Sequence, residues 1–425
     1  MKKHILLLAS SLVGILAFGQ PANVSSAATT SAATTVTLTD EQYVRALADF
    51  ILSQPVDEYV SRADVKIYTA AKDIPEGVDV RYKTPFSEWH YSNGVINIAM
   101  LKAGDFLKES RFTQYAKSHV ERGFRDGPIF QARFKGGRHV GYPFGQWFTF
   151  GELDDCGAMG ASVIEIYNMD KKAEYMRYIN DAAKHIMENQ QRLEDGTLCR
   201  TFPNRMTVWA DDLYMSVSFL ARMGALSKDN KYFDDAVKQV KQITDYLWYE
   251  PMQLYYHCYY EDLKRTNRSH WGRANGWIAY AICQLLDCLP TSHPERATMI
   301  NLLERQLLGA SQYQNANGVW HQLLDKPDSY EEASITAIFT YCTAHAINEG
   351  WMDRRYSSIA TNGWNGLKKI FITTDGQLRD VCPGTGTSND LVFYYNRPRS
   401  MNEKHGMGLA IDCGIEMLKL QQRGR

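Results

Sequence analysis

The chain has no excess of positive charge: 47 Lys and Arg stand against 48 Asp and Glu, a formal net charge of −1. Binding nucleic acid needs a basic surface that displaces counterions from phosphates, and no basic run supplies one, so no nucleic-acid partner is expected. The 8 cysteines, at 156, 199, 258, 283, 288, 342, 382 and 413, are scattered and form no Cys-x-x-Cys pair, which argues against a zinc knuckle. Cys283, Cys342 and Cys413 fall in apolar helical runs and read as small buried hydrophobes, so mostly free thiols are expected. No cluster of ligating residues implies a metal, and no cofactor is expected. No motif is copied along the chain, and no domain boundary shows after residue 39.

What is present begins with a leader. Lys2-Lys3-His4 is a basic start, Ile5 to Phe18 is an apolar core, and Ala17-Phe18-Gly19 offers a small-x-small cleavage site before Gln20. Residues 1–19 therefore read as a signal peptide, too short in its apolar part to be a membrane span. No Cys follows it, so no lipoprotein anchor is indicated, and no membrane association is expected after cleavage. Residues 20–38 are rich in Ala, Ser and Thr and read as a disordered linker. The expected location is periplasmic or secreted, with residues 39–425 as one domain.

The sequence as a whole is 44% hydrophobic and 22% charged, ordinary globular composition. A first helix follows Thr39, with an apolar stripe at Val44, Leu47, Phe50 and Ile51. Two more are expected near 95–107 and 111–122. Helical patterns then recur in pairs: 153–168 with 171–190, 207–224 with 230–248, 271–288 with 294–313, and 330–348 with 352–370. The last helix is expected at 405–420. Residues 55–88 read as a long loop, and so does the Gly- and aromatic-rich stretch 123–152. Twelve helices in six hairpins predict an all-α (α/α)6 barrel. An open α-solenoid is the rival. Alternate connections that are long and carry His, Trp, Asp and Arg favour the closed barrel with one decorated mouth.

Chemistry concentrates at helix starts. Val208-Trp209-Ala210-Asp211-Asp212-Leu213-Tyr214-Met215 sets two carboxylates in the first turn of a helix. Asp154-Asp155 opens another, and Trp271-Gly272-Arg273-Ala274-Asn275-Gly276-Trp277 a third. Acids there also serve the helix dipole, so the pattern has a purely structural reading. Adjacent helical residues point about 100° apart, so Asp211 and Asp212 do not both face a pocket squarely, and periodicity does not choose between them. The guanidinium of Arg273 suits a carboxylate in a fork. Trp271 and Trp277 read as sugar-stacking rings for at least one of the two. With 9 Trp and 25 Tyr, the aromatics, carboxylates and Arg together suggest a sugar site that takes an acidic group.

These segments resemble a known family. The motifs around Asp211 and Arg273, Leu254-Tyr255-Tyr256-His257, Leu153-Asp154-Asp155-Cys156-Gly157-Ala158-Met159-Gly160, Tyr330-Glu331-Glu332-Ala333-Ser334 and Val381-Cys382-Pro383-Gly384-Thr385-Gly386-Thr387 are similar to those of the unsaturated glycuronyl hydrolases. These are glycoside hydrolase family 105, the unsaturated rhamnogalacturonyl hydrolases, and the related family 88. The similarity runs from about 85 to 420. It departs from the family pattern at Gly272 and Ala274, and in the longer 123–152 stretch with its basic Arg133-Phe134-Lys135-Gly136-Gly137-Arg138.

The resemblance implies the (α/α)6 barrel and a particular reaction. Lyases leave a uronic acid with a double bond between carbons 4 and 5 at the non-reducing end. An Asp protonates carbon 4, water adds at carbon 5, and the hemiketal collapses. Ordinary glycosidases instead flank the anomeric carbon with two carboxyls. The pattern places the acid at Asp211 and the second essential carboxylate at Asp154, favoured over Asp155, with Asp212 left as helix N-terminal charge. Burial and a neighbouring carboxylate are expected to raise the acid's pKa. The resemblance makes His257 a substrate contact, with Asn275, Tyr91, Trp89, His321 and His405 as further candidates. The partner is then an oligosaccharide ending in an unsaturated uronic acid, such as a rhamnogalacturonan or pectin fragment. The competing readings are another barrel enzyme (a saturated glycosidase, a lyase or an epimerase) and a non-catalytic glycan-binding protein.

Overall fold

A computed structural model describes residues 38–423; the expected leader, and the linker up to residue 37, lie outside them. Twelve helices of ten residues or more carry the described chain. They are α1 (Asp40–Leu52), α2 (Tyr91–Phe106), α3 (Ser110–Arg133), α4 (Leu153–Met169), α5 (Ala173–Lys184), α6 (Ala210–Ser227), α7 (Asn230–Leu247), α8 (Gly272–Cys288), α9 (Arg296–Ser311), α10 (Ala333–Asn348), α11 (Ser357–Gly366) and α12 (Lys404–Gln422). The even-numbered helices each pack on the next, and α12 packs back on α2, so the ring closes. Each odd-numbered helix lies against an inner one, and α1 takes the place beside α12. A closed ring of six hairpins is a barrel, not a solenoid.

The sequence sorts the helices into the two layers. In α10 every residue from Ala333 to Asn348 is buried, as expected of a helix apolar on all sides. The outer helix α7 buries Tyr232, Phe233, Ala236, Val237, Val240, Ile243 and Leu247, the single stripe of an amphipathic helix. Inner helices approach closely at glycines. A Cβ on Gly157 of α4 would stand 1.6 Å from the Met215 carbonyl oxygen of α6, and one on Gly94 of α2 would stand 2.4 Å from the Ala158 carbonyl oxygen of α4. Gly157→Ala is therefore expected to destabilise by at least ~1–3 kcal/mol, because backbone rather than a side chain must move. A thermal melt superimposable on wild type would show that the α4–α6 contact yields.

At the other end of the inner helices, opposite charges alternate around the ring. Arg222 of α6 meets Glu165 of α4 at 2.6 Å, His345 of α10 lies between Asp287 of α8 at 2.8 Å and Glu416 of α12 at 3.2 Å, and Lys102 of α2 meets Asp412 at 3.0 Å. Burial opposes a charge on His345, but Asp287 and Glu416 outweigh it and hold the imidazole well above its usual range.

Three expectations change. Helix α3 runs on to Arg133 instead of stopping near 122, so the 123–152 loop shrinks to 134–152 with one helical turn at Gly145–Phe148. Gly123 and Gly127, read as loop residues, lie inside the helix as notches. Added Cβ atoms would meet Trp89 at 2.1 Å and Trp147 at 2.8 Å. Residues 55–88 are not all loop. They hold β1 (Tyr59–Ser61), β2 (Ile67–Tyr68) and β3 (Val80–Tyr82), antiparallel in the order β2-β1-β3. Strands of two or three residues are too short to show a period of two. Finally, α6 begins at Ala210 and not at 207, because β4 (Thr207–Trp209) pairs with a strand from Cys258 to Tyr260.

Candidate active site

The inner helices bring their N-terminal ends to one mouth. Each contributes a polar side chain in or beside its first turn: Tyr91 from α2, Asp154 from α4, Asp211 from α6, Arg273 from α8, Glu332 at the N-cap of α10, and His405 from α12. Tyr91 Oη lies 2.7 Å from His405 Nε2. Asp154, Arg273, Asp211 and Glu403 are all near enough to the Tyr91 hydroxyl to act on its ionisation. His405 Nδ1 is held by Glu403.

Asp211 stands at one end of a polar chain. Its Oδ2 is 2.9 Å from His257 Nε2, and His257 Nδ1 is 2.7 Å from Tyr394 Oη. That phenol oxygen accepts from Asn267 Nδ2 at 3.0 Å and from the Ser388 amide at 3.2 Å. Its own hydrogen is therefore directed to Nδ1, which assigns the Nε2–H tautomer facing Asp211. The strand pair places His257: its amide donates to Ser269 and its carbonyl accepts from Ala210, the first residue of α6. Burial pushes the Asp211 carboxyl up, but His257, with Arg200 and Arg273 beyond it, outweighs burial, and the net direction is down. The expected rise is thus reversed: the His257 N–H turned towards Asp211 and the two guanidinium groups beyond it decide its charge.

Asp212 is not a helix-end ornament. Its side chain is fully buried, and Arg200 reaches it with Nε at 2.9 Å from both oxygens and Nη2 at 2.6 Å from Oδ1. The same guanidinium donates to Asp154 from Nη1 at 2.9 Å and Nη2 at 3.2 Å. Burial pushes Asp212 up to about 7, with Arg200 opposing, and burial likewise raises Asp154. Asp155 has its oxygens occupied by Gln146, His139 and the Gly151 and Glu152 amides. Asp154 is the member of that pair free to face the cavity.

A cavity of about 700 Å³ opens outward from here, lined by Asp154, Arg200, His90, Glu152, Val140 and Phe202 among others. Phe202 is 70% exposed at its rim.

Other expected contacts serve the scaffold. Arg273 is buried, with Nη1 on the Cys382 carbonyl and on Ser334 Oγ at 3.3 Å, and Nη2 2.6 Å from the Pro383 carbonyl. Its fork holds the 382–383 segment and is not open to a substrate carboxylate. Trp271 lies between that guanidinium, 4.6 Å away, and His257, at 4.7 Å between ring centres. Trp277 stacks on Tyr214 at 4.7 Å inside the barrel. Both tryptophans are buried, so neither offers a free face to a sugar. Asn275 exchanges hydrogen bonds with the Tyr255 backbone and ties the short strand Leu254–Tyr255 to α8. Trp89 is buried and donates to Tyr178 Oη at 3.1 Å rather than lining the mouth. His321 is used by Asn315 Nδ2 and the Ser329 carbonyl within its own loop. All eight cysteines are free.

Sequence reasoning missed Arg200, Tyr394 and Glu403. The first two lie in connections with no periodicity, and Glu403 is the cap of α12; no local pattern marks them.

A closed ring of helical hairpins with this acid cluster at its mouth is the scaffold of a glycoside hydrolase. The chain belongs to Glycosyl Hydrolase Family 88, whose profile matches residues 67–421. It is 27% identical over 278 residues to the unsaturated rhamnogalacturonyl hydrolase YesR of Bacillus subtilis, a match covering 63% of this chain and 77% of that protein. It is 31% identical over 216 residues to an unsaturated 3S-rhamnoglycuronyl hydrolase of an Alteromonas species, covering 49% of this chain and 51% of the other. The fold is shared with a possible member of the GH105 family from Salmonella enterica, with a TM-score of 0.73 at 22% identity over 92% of this chain and 96% of that one.

Proposed function

We propose that the protein removes a 4,5-unsaturated uronic acid from the non-reducing end of lyase-generated oligosaccharides, such as rhamnogalacturonan or pectin fragments, by hydrating the vinyl ether. The observation that carries this reading is the Asp211–His257–Tyr394 chain close to an Arg200-bridged Asp154, which itself lines a cavity of about 700 Å³, room for a small saccharide. The names of the relatives from Bacillus subtilis and Alteromonas support it.

Asp211 is the acid that protonates carbon 4. In the free protein its neighbours hold the carboxyl low. An arriving uronate adds a negative charge beside it and expels water, and both changes raise its pKa. Once deprotonated, Asp211 accepts a proton from the water that adds at carbon 5. Asp154 holds sugar hydroxyls. Absorbance of the enol ether in the near ultraviolet tests the reaction. The band is expected to disappear with lyase fragments of rhamnogalacturonan or pectin. A persistent band on these and on glycosaminoglycan fragments, with cleavage of saturated chains instead, would overturn the reading.

The chain to His257 predicts a pH effect. His257→Leu removes the strongest influence lowering the Asp211 pKa and leaves burial to raise it. The limb of kcat/KM that follows loss of the Asp211 proton should then move to higher pH. A limb that stays in place would show that His257 does not set the acid.

We also propose that the protein is exported, with cleavage near Gly19, on the strength of its basic and apolar leader. Mass spectrometry of the native protein should find a mature start near Gln20; an intact Met1 in a cytoplasmic fraction would refute this.

A further inference from the structure

Arg200 lies on no helix. It sits in the connection from α5 to α6, pinned by reciprocal backbone hydrogen bonds with Thr207 at 2.8 and 3.2 Å. Its guanidinium lies 4.2 Å over the Trp209 ring, and its side chain is only 8% exposed. One planar group therefore carries two carboxylates. Asp212, fully buried, grips it from behind through Nε and Nη2, and Asp154, 26% exposed, takes Nη1 and Nη2 on the cavity side. A guanidinium fixes direction as well as charge, which an ammonium does not.

Resting on the reading above, we propose that Arg200 is a positioning residue: anchored by Asp212 and Trp209, it fixes the Asp154 carboxylate towards the sugar and sets the charge of the acid cluster around Asp211. Without it, Asp154, Asp211 and Asp212 would be three close acids with no cation between them. The other groups facing this cluster are Glu152 and the His139-bound Asp155 at the start of α4, His257 behind Asp211, Arg273 from α8, and Tyr91 from α2. None of these contacts Asp154 as Arg200 does. Asp212, which does not reach the cavity, has the role of anchor: it keeps Arg200 in place. Burial raises both carboxyls while Arg200 opposes the rise.

Arg200→Met alone strands a buried Asp212 charge and risks unfolding. The decisive variant is therefore Arg200→Met/Asp212→Asn, compared with Asp212→Asn alone and with melting followed in parallel. With an unsaturated disaccharide, the double variant is expected to fold and to lose about a hundredfold in kcat beyond the single variant. Its KM should change several-fold at most. Guanidinium ion added in solution should restore part of the rate, and urea should not. Arg200→Lys, with Asp212 in place, should recover less than wild type, since one ammonium cannot serve both carboxylates. Independently of any substrate, the Asp154 carboxyl followed by 13C NMR should titrate at higher pH in the double variant than in Asp212→Asn. Equal kcat in the double and single variants, or an unmoved Asp154 titration, would overturn the role of Arg200. If wild type leaves the near-ultraviolet band of every fragment intact, the substrate reading fails, and the titration alone decides on Arg200.

Discussion

Asp211→Asn is expected to fold and to lose about 10²–10⁴ in kcat, the usual contribution of a positioned general acid–base group. The amide keeps the shape of the carboxylate and its place 2.9 Å from His257 Nε2. It has no proton to give at neutral pH and cannot take one back from water. The contrast with its neighbour is the informative part. Asp212→Asn removes a fully buried partner of Arg200, and its loss should fall on stability, up to the ~3–5 kcal/mol of a broken buried pair. Asp154 still holds the guanidinium, so the lower part of that range is expected. Steady-state kinetics and melting on both variants separate the roles. A folded, inactive Asp212→Asn beside an active Asp211→Asn would transfer the chemistry to Asp212.

Arg273→Ala should be the most disruptive single change at the mouth. Read from the sequence, it would cost one to two orders of magnitude in kcat/KM through a lost substrate carboxylate contact. The structure moves the expected loss to stability. The guanidinium is buried against Trp271 and holds the Cys382 and Pro383 carbonyls. Glu332, fully buried 4.0 Å away, would lose its nearest cation. Hydrogen bonds to a charged group are worth ~1.5–3 kcal/mol each, and an uncompensated buried acid adds to that cost. A melting temperature lowered by many degrees, with faster proteolysis around 382–388, is the expected result. Arg273→Lys should recover only part of it, since one ammonium cannot span both carbonyls. A variant that melts like wild type and differs only in KM would return Arg273 to the substrate.

Much of this protein is written in local sequence. Apolar periodicity separates the buried inner helices from the striped outer ones, and helix length leaves little room for strands. The acids of α4 and α6 stand at helix starts in the sequence and in the structure alike, because a first-turn position is a local property. Short-range signals fail where packing decides. Gly123 and Gly127 look like loop residues, yet indoles from Trp89 and Trp147 fill the notches they leave in α3. Trp277 and Asn275 look like sugar contacts because a motif at a helix start has two sides, and only the closed ring determines which side faces inward. Arg200 shows no pattern at all: its partner Asp154 is 46 residues away, and no periodicity links a connection to a helix start. The charge of Asp211 belongs to the same class. Burial and a neighbouring acid predict a rise, but the tertiary structure brings His257, Arg200 and Arg273 around it, and Coulombic attraction at short range in a poorly solvated site outweighs the cost of burial.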